Sequence, residues 1–226
     1  MLIHFSLDFP PFHVFVVNPN NPTSTWVKEA ELRQFLQRVP QHVIVVLDEA
    51  YGEFMEHQDE PLVGWPNSVQ LLQEFPNIII TRTFSKVYGL AALRVGYGIS
   101  HPAVADRMNR VRPPFNVNAL AQAAALAAFK DLAGLEACVE QNTKGLKQIF
   151  AGLDDLGLSY LPSQVNFITF FIGDRDARSI FNSLLQRGVI VRPLANYEMP
   201  DALRVSVGTE EENQAFLTSL RDILSD

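Results

Sequence analysis

The sequence predicts an α/β protein: a mostly parallel sheet with flanking helices, followed by a smaller α/β C-terminal domain. Three observations carry this. Apolar runs of buried-strand type occur at Val14-Phe15-Val16-Val17, Val43-Ile44-Val45-Val46-Leu47 and Ile78-Ile79-Ile80, separated by stretches long enough for crossover connections. Between the first two runs, Leu32, Phe35, Leu36 and Val39 recur at helical spacing. Beyond the Pro113-Pro114 break the pattern restarts with connecting helices and shorter strands, so residues 1–116 read as part of a large domain and 117–226 as a small one.

Residues 1–12, with Pro10-Pro11, carry no clear period. The run at 14–17 reads as a strand buried on both sides and ends in a stiff turn, Asn18-Pro19-Asn20-Asn21-Pro22-Thr23. A helix follows over 27–38 and Pro40 stops it. The second strand, 43–47, ends in Asp48-Glu49-Ala50-Tyr51, and the third, 78–80, comes after a polar segment. Residues 95–99 add a strand, and Pro102 opens a helix to about residue 112. Residues 119–129 and 135–153 read as two helices, the first Ala-rich and mostly buried. In the small domain 165–170 is strand-like, and Asp176 caps a helix with Ala177, Ile180, Phe181, Leu184 and Leu185 on one face, stopped by Gly188. Residues 189–191 and 203–207 are further short strands. Thr209 and Glu212 form a capping box for the last helix, whose Phe216, Leu217, Leu220 and Leu224 face inward.

Composition narrows the function. With 47% hydrophobic and 19% charged residues, the chain buries a real core. A net charge of −7 with no basic run argues against nucleic acid as a partner. The longest apolar stretch, 119–129, is interrupted by Gln122 and is too short to cross a bilayer, so no membrane association is expected. Met1-Leu2-Ile3-His4 lacks the basic start and long apolar core of a signal peptide, and the expected location is the cytoplasm. One cysteine, Cys138, excludes an internal disulfide or a cysteine metal cluster, and the five histidines show no ligand spacing, so no metal is expected.

The chemically suggestive stretch is Thr83-Phe84-Ser85-Lys86-Val87-Tyr88-Gly89-Leu90, closed by Leu93-Arg94-Val95-Gly96. A lysine amine condenses with carbonyls, while hydroxyls and an arginine fork suit a phosphate, so the loop suits a phosphorylated aldehyde such as pyridoxal 5'-phosphate. Read alone, it is equally a solvated loop with a chance lysine. In parallel sheets ligands gather beyond the carboxyl ends of the strands, where Asn21, Asp48, Tyr51, Ser85 and Lys86 all fall. Singly, Asp48 also suits a strand-end cap, Arg94 a strand-start cation and Arg204 a surface arginine.

Taken in order, Asn-Pro-Asn-Asn-Pro-Thr from Asn18, Asp-Glu-Ala-Tyr from Asp48, Thr-Phe-Ser-Lys from Thr83 with Arg94 eight residues after Lys86, and Leu-Arg-Val-Ser-Val-Gly from Leu203 resemble the fold-type I aminotransferases. Within them the chain most resembles the histidinol-phosphate aminotransferase family, from about His13 to the C-terminus. The resemblance implies pyridoxal phosphate as cofactor, L-histidinol phosphate and 2-oxoglutarate as small-molecule substrates in histidine biosynthesis, and a homodimer. It implies Lys86 as the catalytic amine that also holds the cofactor, Asp48 at the pyridinium nitrogen, and Tyr51 with Asn21 at the ring 3'-oxygen. Thr83, Ser85 and Arg94 are implied at the cofactor phosphate, Arg204 at the substrate α-carboxylate and Arg192 at the substrate phosphate. Two other readings stand beside it: an enzyme like the threonine-phosphate decarboxylases, which share these motifs, and a non-catalytic aminotransferase remnant. Ser24 and Glu198 stand where relatives usually have glycine. The family's N-terminal arm and first strands have no counterpart before His13, so the chain resembles the C-terminal part of such an enzyme, truncated at its N-terminal side and with a bare edge at 14–17.

Overall fold

The computed structural model describes residues 13–58 and 62–225, so the irregular stretch expected over 1–12 lies outside the described residues. The chain forms two compact units by contact: residues 13–19 with Trp26–Leu135, and Asn20–Thr25 with Glu136 onward. The sequence reading divides the chain at 116/117 instead.

The first unit is built on a sheet in the order β1-β2-β3-β4, with β1 His13–Val17, β2 Ile44–Asp48, β3 Ile78–Thr83 and β4 Gly96–Ser100. The first three strands are parallel and β4 runs antiparallel to β3, so the sheet is mostly parallel as expected. Helix α1, Glu29–Arg38, and helix α3, Ser68–Glu74, cover one face, where Leu32, Leu36 and Leu71 pack on Val45, Leu47, Ile78 and Ile80. Strand β1 sends Val14 and Val16 into this core, but Phe15 and Val17 on its other side are 62% and 37% exposed. The strand expected to be buried on both sides has one packed face, and among the described residues it pairs only with β2. Apolar alternation reports side-chain type, and whether a second layer exists is a property of the rest of the fold.

The polar connection before β3 contains two helices that the sequence reading lacks. Helix α2, Gly52–Glu56, is too short to show a period, and α3 starts at Asn67, whose side chain accepts from the Gln70 N–H at 3.0 Å. Beyond β4 come α4, Pro102–Val111, and α5, Ala119–Lys130. Helix α5 is not mostly buried: Leu120, Leu126 and Phe129 are 78%, 59% and 55% exposed. It docks through small side chains, Ala121 and Ala125, against Phe84 and Val95. That contact places α5 in the first unit, which is why the division falls after it, inside α6, Leu132–Asp155.

The second unit carries an antiparallel sheet, β5-β7-β6, with β5 Phe167–Phe171, β6 Arg192–Pro193 and β7 Ala202–Ser206. Its core joins Ile149 and Leu153 of α6 to Ile168 and Phe170, to Ile180 and Leu184 of α7, Ala177–Gln186, and to Phe216, Leu217 and Leu220 of α8, Glu210–Ser225. Both predicted caps form. Asp176 accepts from the Arg178 and Ser179 N–H groups, and Thr209 and Glu212 exchange side-chain to backbone bonds of 2.8 and 3.3 Å. The strand expected over 189–191 does not form; only Arg192 and Pro193 pair with β7, and Ile190 is 78% exposed.

Candidate active site

In the first unit, β2 and β3 deliver polar groups at their carboxyl ends. Asp48 is the last residue of β2, in register with Thr81, and its Oδ1 accepts from the Ala50 N–H at 3.2 Å, so it also acts as the local cap expected of a strand-end aspartate. Tyr51 begins α2 and is 5% exposed. The Lys86 Nζ stands 5.2 Å from the centroid of its ring.

The loop after β3 is anchored by apolar residues that alternate with its polar ones. Phe84 and Val87 are buried, and Phe84 packs on Tyr88 and Tyr97 with ring centroids 4.9 and 5.7 Å away. Ser85 and Lys86 are thereby left half-buried at the surface. The Ser85 N–H donates to Thr83 Oγ1 at 3.1 Å, and the Leu90 N–H closes the loop on the Phe84 carbonyl at 2.8 Å. Arg94 lies in the left-handed region at φ 53° and donates to the Ala91 carbonyl at 2.6 Å. Asp48, Thr83, Ser85, Lys86 and Arg94 line one cleft of about 400 Å³, with Ala50, Thr81, Arg82 and Ala91. An amine, a carboxylate, three hydroxyls and two guanidiniums thus share a cleft open to a small molecule.

The sequence reading assigns no role to a charged cluster adjoining this cleft. Arg82, with its side chain 10% exposed, meets Glu49, Glu53 and Glu56. A signal was available: Arg82 continues the core-facing alternation of Ile78 and Ile80, and an arginine in such a position needs carboxylates. Burial pushes Glu53 up to about 7 and raises Glu49 as well. Burial opposes the charge on Arg82, but the hydrogen bonds it donates to Glu56 and Glu49 and their charges outweigh it and hold the guanidinium above its ordinary range.

Asn21, Arg192 and Arg204 belong to the second unit. Arg204, on β7, lies in register with Thr169 on one side and Arg192 on the other. Its Nη1 donates to Asn21 Oδ1, and its guanidinium carbon sits 4.9 Å from the Phe167 ring centroid. Thr169 Oγ1 donates to the Pro22 carbonyl, and Ser24 Oγ to the Pro162 carbonyl at 3.0 Å, so the 20–25 turn is tied to this unit. Arg192 is exposed, 5.9 Å from the Tyr197 ring. Ser24 and Glu198, the two positions that depart from glycine, both adopt left-handed backbone, at φ 57° and 60°. Among the described residues no group of three or more His, Cys, Asp or Glu side chains could hold a metal ion, and no helix is long and apolar enough to cross a membrane.

Comparison with known proteins covers nearly the whole chain. Histidinol-phosphate aminotransferase 2 of Pseudomonas fluorescens is 53% identical over 212 residues, which is 94% of this chain and 56% of the relative. Histidinol-phosphate aminotransferase 1 of Nitrosococcus oceani is 48% identical with the same coverage. The crystal structure of histidinol-phosphate aminotransferase from Sinorhizobium meliloti in complex with pyridoxal-5'-phosphate superposes with a TM-score of 0.85 at 31% identity, over 95% of this chain and 57% of that one. The chain therefore spans a little over half the length of the relatives it matches. The family profile for aminotransferase class I and II matches residues 8–220, beginning somewhat before His13, where the motifs alone mark the start. A profile match of that extent, on a fold shared with a solved relative, means that this chain belongs to the class I and II aminotransferases.

Proposed function

We propose that this chain carries the cofactor-holding and substrate-clamping residues of a pyridoxal-phosphate-dependent transaminase, which moves an amino group between L-histidinol phosphate and 2-oxoglutarate and works as a homodimer. The observation that carries this is the Lys86 amine, 5.2 Å from the ring centroid of the buried Tyr51 and beside Asp48, Thr83, Ser85 and Arg94 at one cleft. The donor set fits the cofactor: an amine for an aldehyde, a carboxylate for a ring nitrogen, and hydroxyls with a guanidinium for a phosphate. The substrate assignment is supported by relatives at 53% and 48% identity named histidinol-phosphate aminotransferases.

When bound, pyridoxal phosphate supplies an aldehyde that takes up the amino group and a ring that accepts the electron pair left at the substrate Cα. Lys86 would hold it through its amine, and Nζ, when free, would serve as the base for the substrate Cα proton. Asp48 would favour the charged form of the ring nitrogen, as a carboxylate beside that nitrogen does. Tyr51 and Asn21 would hydrogen-bond the ring oxygen, and Thr83, Ser85 and Arg94 would bind the cofactor phosphate. Arg204 clamps the α-carboxylate of the amino-acid partner through its planar fork, and Arg192 assists at the substrate phosphate.

The test begins with the cofactor. Protein given pyridoxal phosphate is expected to show the absorbance band of bound cofactor, borohydride is expected to fix that cofactor to Lys86, and Lys86→Ala is expected to abolish both. Attachment at another lysine overturns the assignment. Product analysis with L-histidinol phosphate and L-threonine phosphate then separates amino transfer from decarboxylation.

A further inference from the structure

We propose that Arg82 is a positioning residue: its guanidinium, gripped by Glu49, Glu56 and Glu53, sets the Asp48–Tyr51 turn against the Lys86 loop. This deepens the reading above, resting on Lys86 as the reactive amine. Arg82 sits on β3, four residues before Lys86, and is joined to it by the turn that Thr83 Oγ1 closes on the Ser85 N–H. Its carboxylate partners bracket the other half of the site. Glu49 follows Asp48, and Glu53 and Glu56 lie on α2, which Tyr51 begins. Nε and Nη2 donate to Glu49 Oε2 at 3.1 and 2.6 Å, and Nη1 and Nη2 donate to the two Glu56 oxygens at 2.6 and 2.5 Å.

One planar fork therefore joins Glu49, within the turn that presents Asp48 and Tyr51, to Glu56, at the far end of α2. Gly52 lets it approach, since a Cβ there would stand 3.2 Å from the Arg82 Cζ. Glu49 is held from its other side as well, where Ser68 Oγ at the start of α3 donates to Oε1. Glu53 reaches Nη1 only at 3.8 Å, and its buried oxygens find no donor outside their own residue. As a device for stability such a cluster is poor, because burying a guanidinium and the carboxylates of Glu49 and Glu53 costs desolvation that an apolar core avoids. What it supplies is a single arrangement: a fork satisfied by Glu49 and Glu56 together fixes one spacing between β3 and α2, and with it the approach of Lys86 to the Tyr51 ring.

The test follows Lys86 directly, without cofactor. Reductive methylation of the whole protein, read by mass spectrometry, gives the rate at Lys86 and at the exposed Lys130 and Lys144 as internal standards. Arg82→Lys keeps the charge and loses the fork. It is expected to raise the Lys86 rate roughly threefold, the size of one lost cation–π contact, with the other lysines unchanged. In a Tyr51→Leu background the same change is expected to add nothing, because the contact it positions is already gone. Glu56→Gln, at the more exposed end of the cluster, is expected to give a smaller shift in the same direction and decides the matter if Arg82→Lys does not fold. Folded variants with an unchanged Lys86 rate, or an Arg82 effect that persists without Tyr51, overturn the proposal. Absence of a cofactor band in the unsubstituted protein bears on the proposed function alone.

Discussion

At the scale of single residues, the informative positions are those whose geometry a near-isostere cannot reproduce. Arg204 donates to Asn21 Oδ1 and lies over Phe167, so the fork has a defined plane. Arg204→Lys retains the charge and loses the paired donors. Apparent glutamate affinity is expected to fall by about tenfold, within the range of one charge-assisted hydrogen bond, while the cofactor spectrum stays as it was. A substrate titration with unchanged affinity makes Arg204 a structural arginine. Glu198 poses a backbone question. A non-glycine residue at φ 60° carries a steric penalty that glycine avoids, so Glu198→Gly is expected to stabilise by about 0.5–1 kcal/mol in denaturant unfolding. Ser24 at φ 57° should gain less, because glycine there also removes the hydroxyl that donates to the Pro162 carbonyl. Both residues were legible in the sequence as departures from glycine. Arg82 showed in the sequence only as a charge in a core-facing strand position, and its partners could not be read there, since Glu49 and Glu56 lie 33 and 26 residues away.

At the scale of elements, long periodic helices and apolar strand runs appear within about three residues of their predicted places. The misses have physical causes. Helix α2 has five residues, fewer than two turns, and 189–191 is apolar without finding a neighbour to pair with. Helix α5 is apolar nearly all round, so its composition cannot say which stripe is covered; Ala121 and Ala125 are buried and Ala128 partly so. Strand β1 carries the sharpest consequence, because among the described residues it pairs on one side only, with β2, and the exposed Phe15 and Val17 beside that outer backbone form an association template. The 226-residue chain is expected to self-associate at micromolar concentration, and Phe15→Glu to reduce this without loss of secondary structure. Light scattering and circular dichroism check both halves. A monodisperse parent chain would show that this face is not adhesive.

At the scale of the whole molecule, stability responds to pH through the buried cluster. Glu53, at about 7, lies above the ordinary carboxyl value of 4.5, so the folded state binds this proton more tightly than the unfolded one. That contribution is fully present below about pH 4.5 and is lost as pH rises through about 7. Glutamine imitates the protonated acid. Glu53→Gln is therefore expected to match the parent in denaturant midpoint near pH 5 and to exceed it near pH 8. The same difference at both values would mean that Glu53 stays ionised in the folded protein. The two units differ in how their outlines were legible. The second closes a core of its own around β5, β7, α7 and α8, as the amphipathic pattern indicates. The first unit by contact extends past 116/117, because α5 docks on it through alanines, which leave no apolar period to follow.

By itself the sequence determined the α/β class, the helix caps at Asp176 and Thr209, the clustering of Asp48, Tyr51, Ser85 and Lys86 at strand ends, and the family. All of these are written in spacings of a few residues or in motifs that keep their order along the chain. Tertiary structure alone decided that β4 runs antiparallel, that only one face of β1 is packed, that Asn21 pairs with Arg204, and that Arg82 is enclosed by three glutamates. The physical reason is range. Hydrogen bonds of caps and helices close within four residues and leave a local period, whereas the covering of a sheet face and the pairing of buried charges depend on which distant segments share a volume.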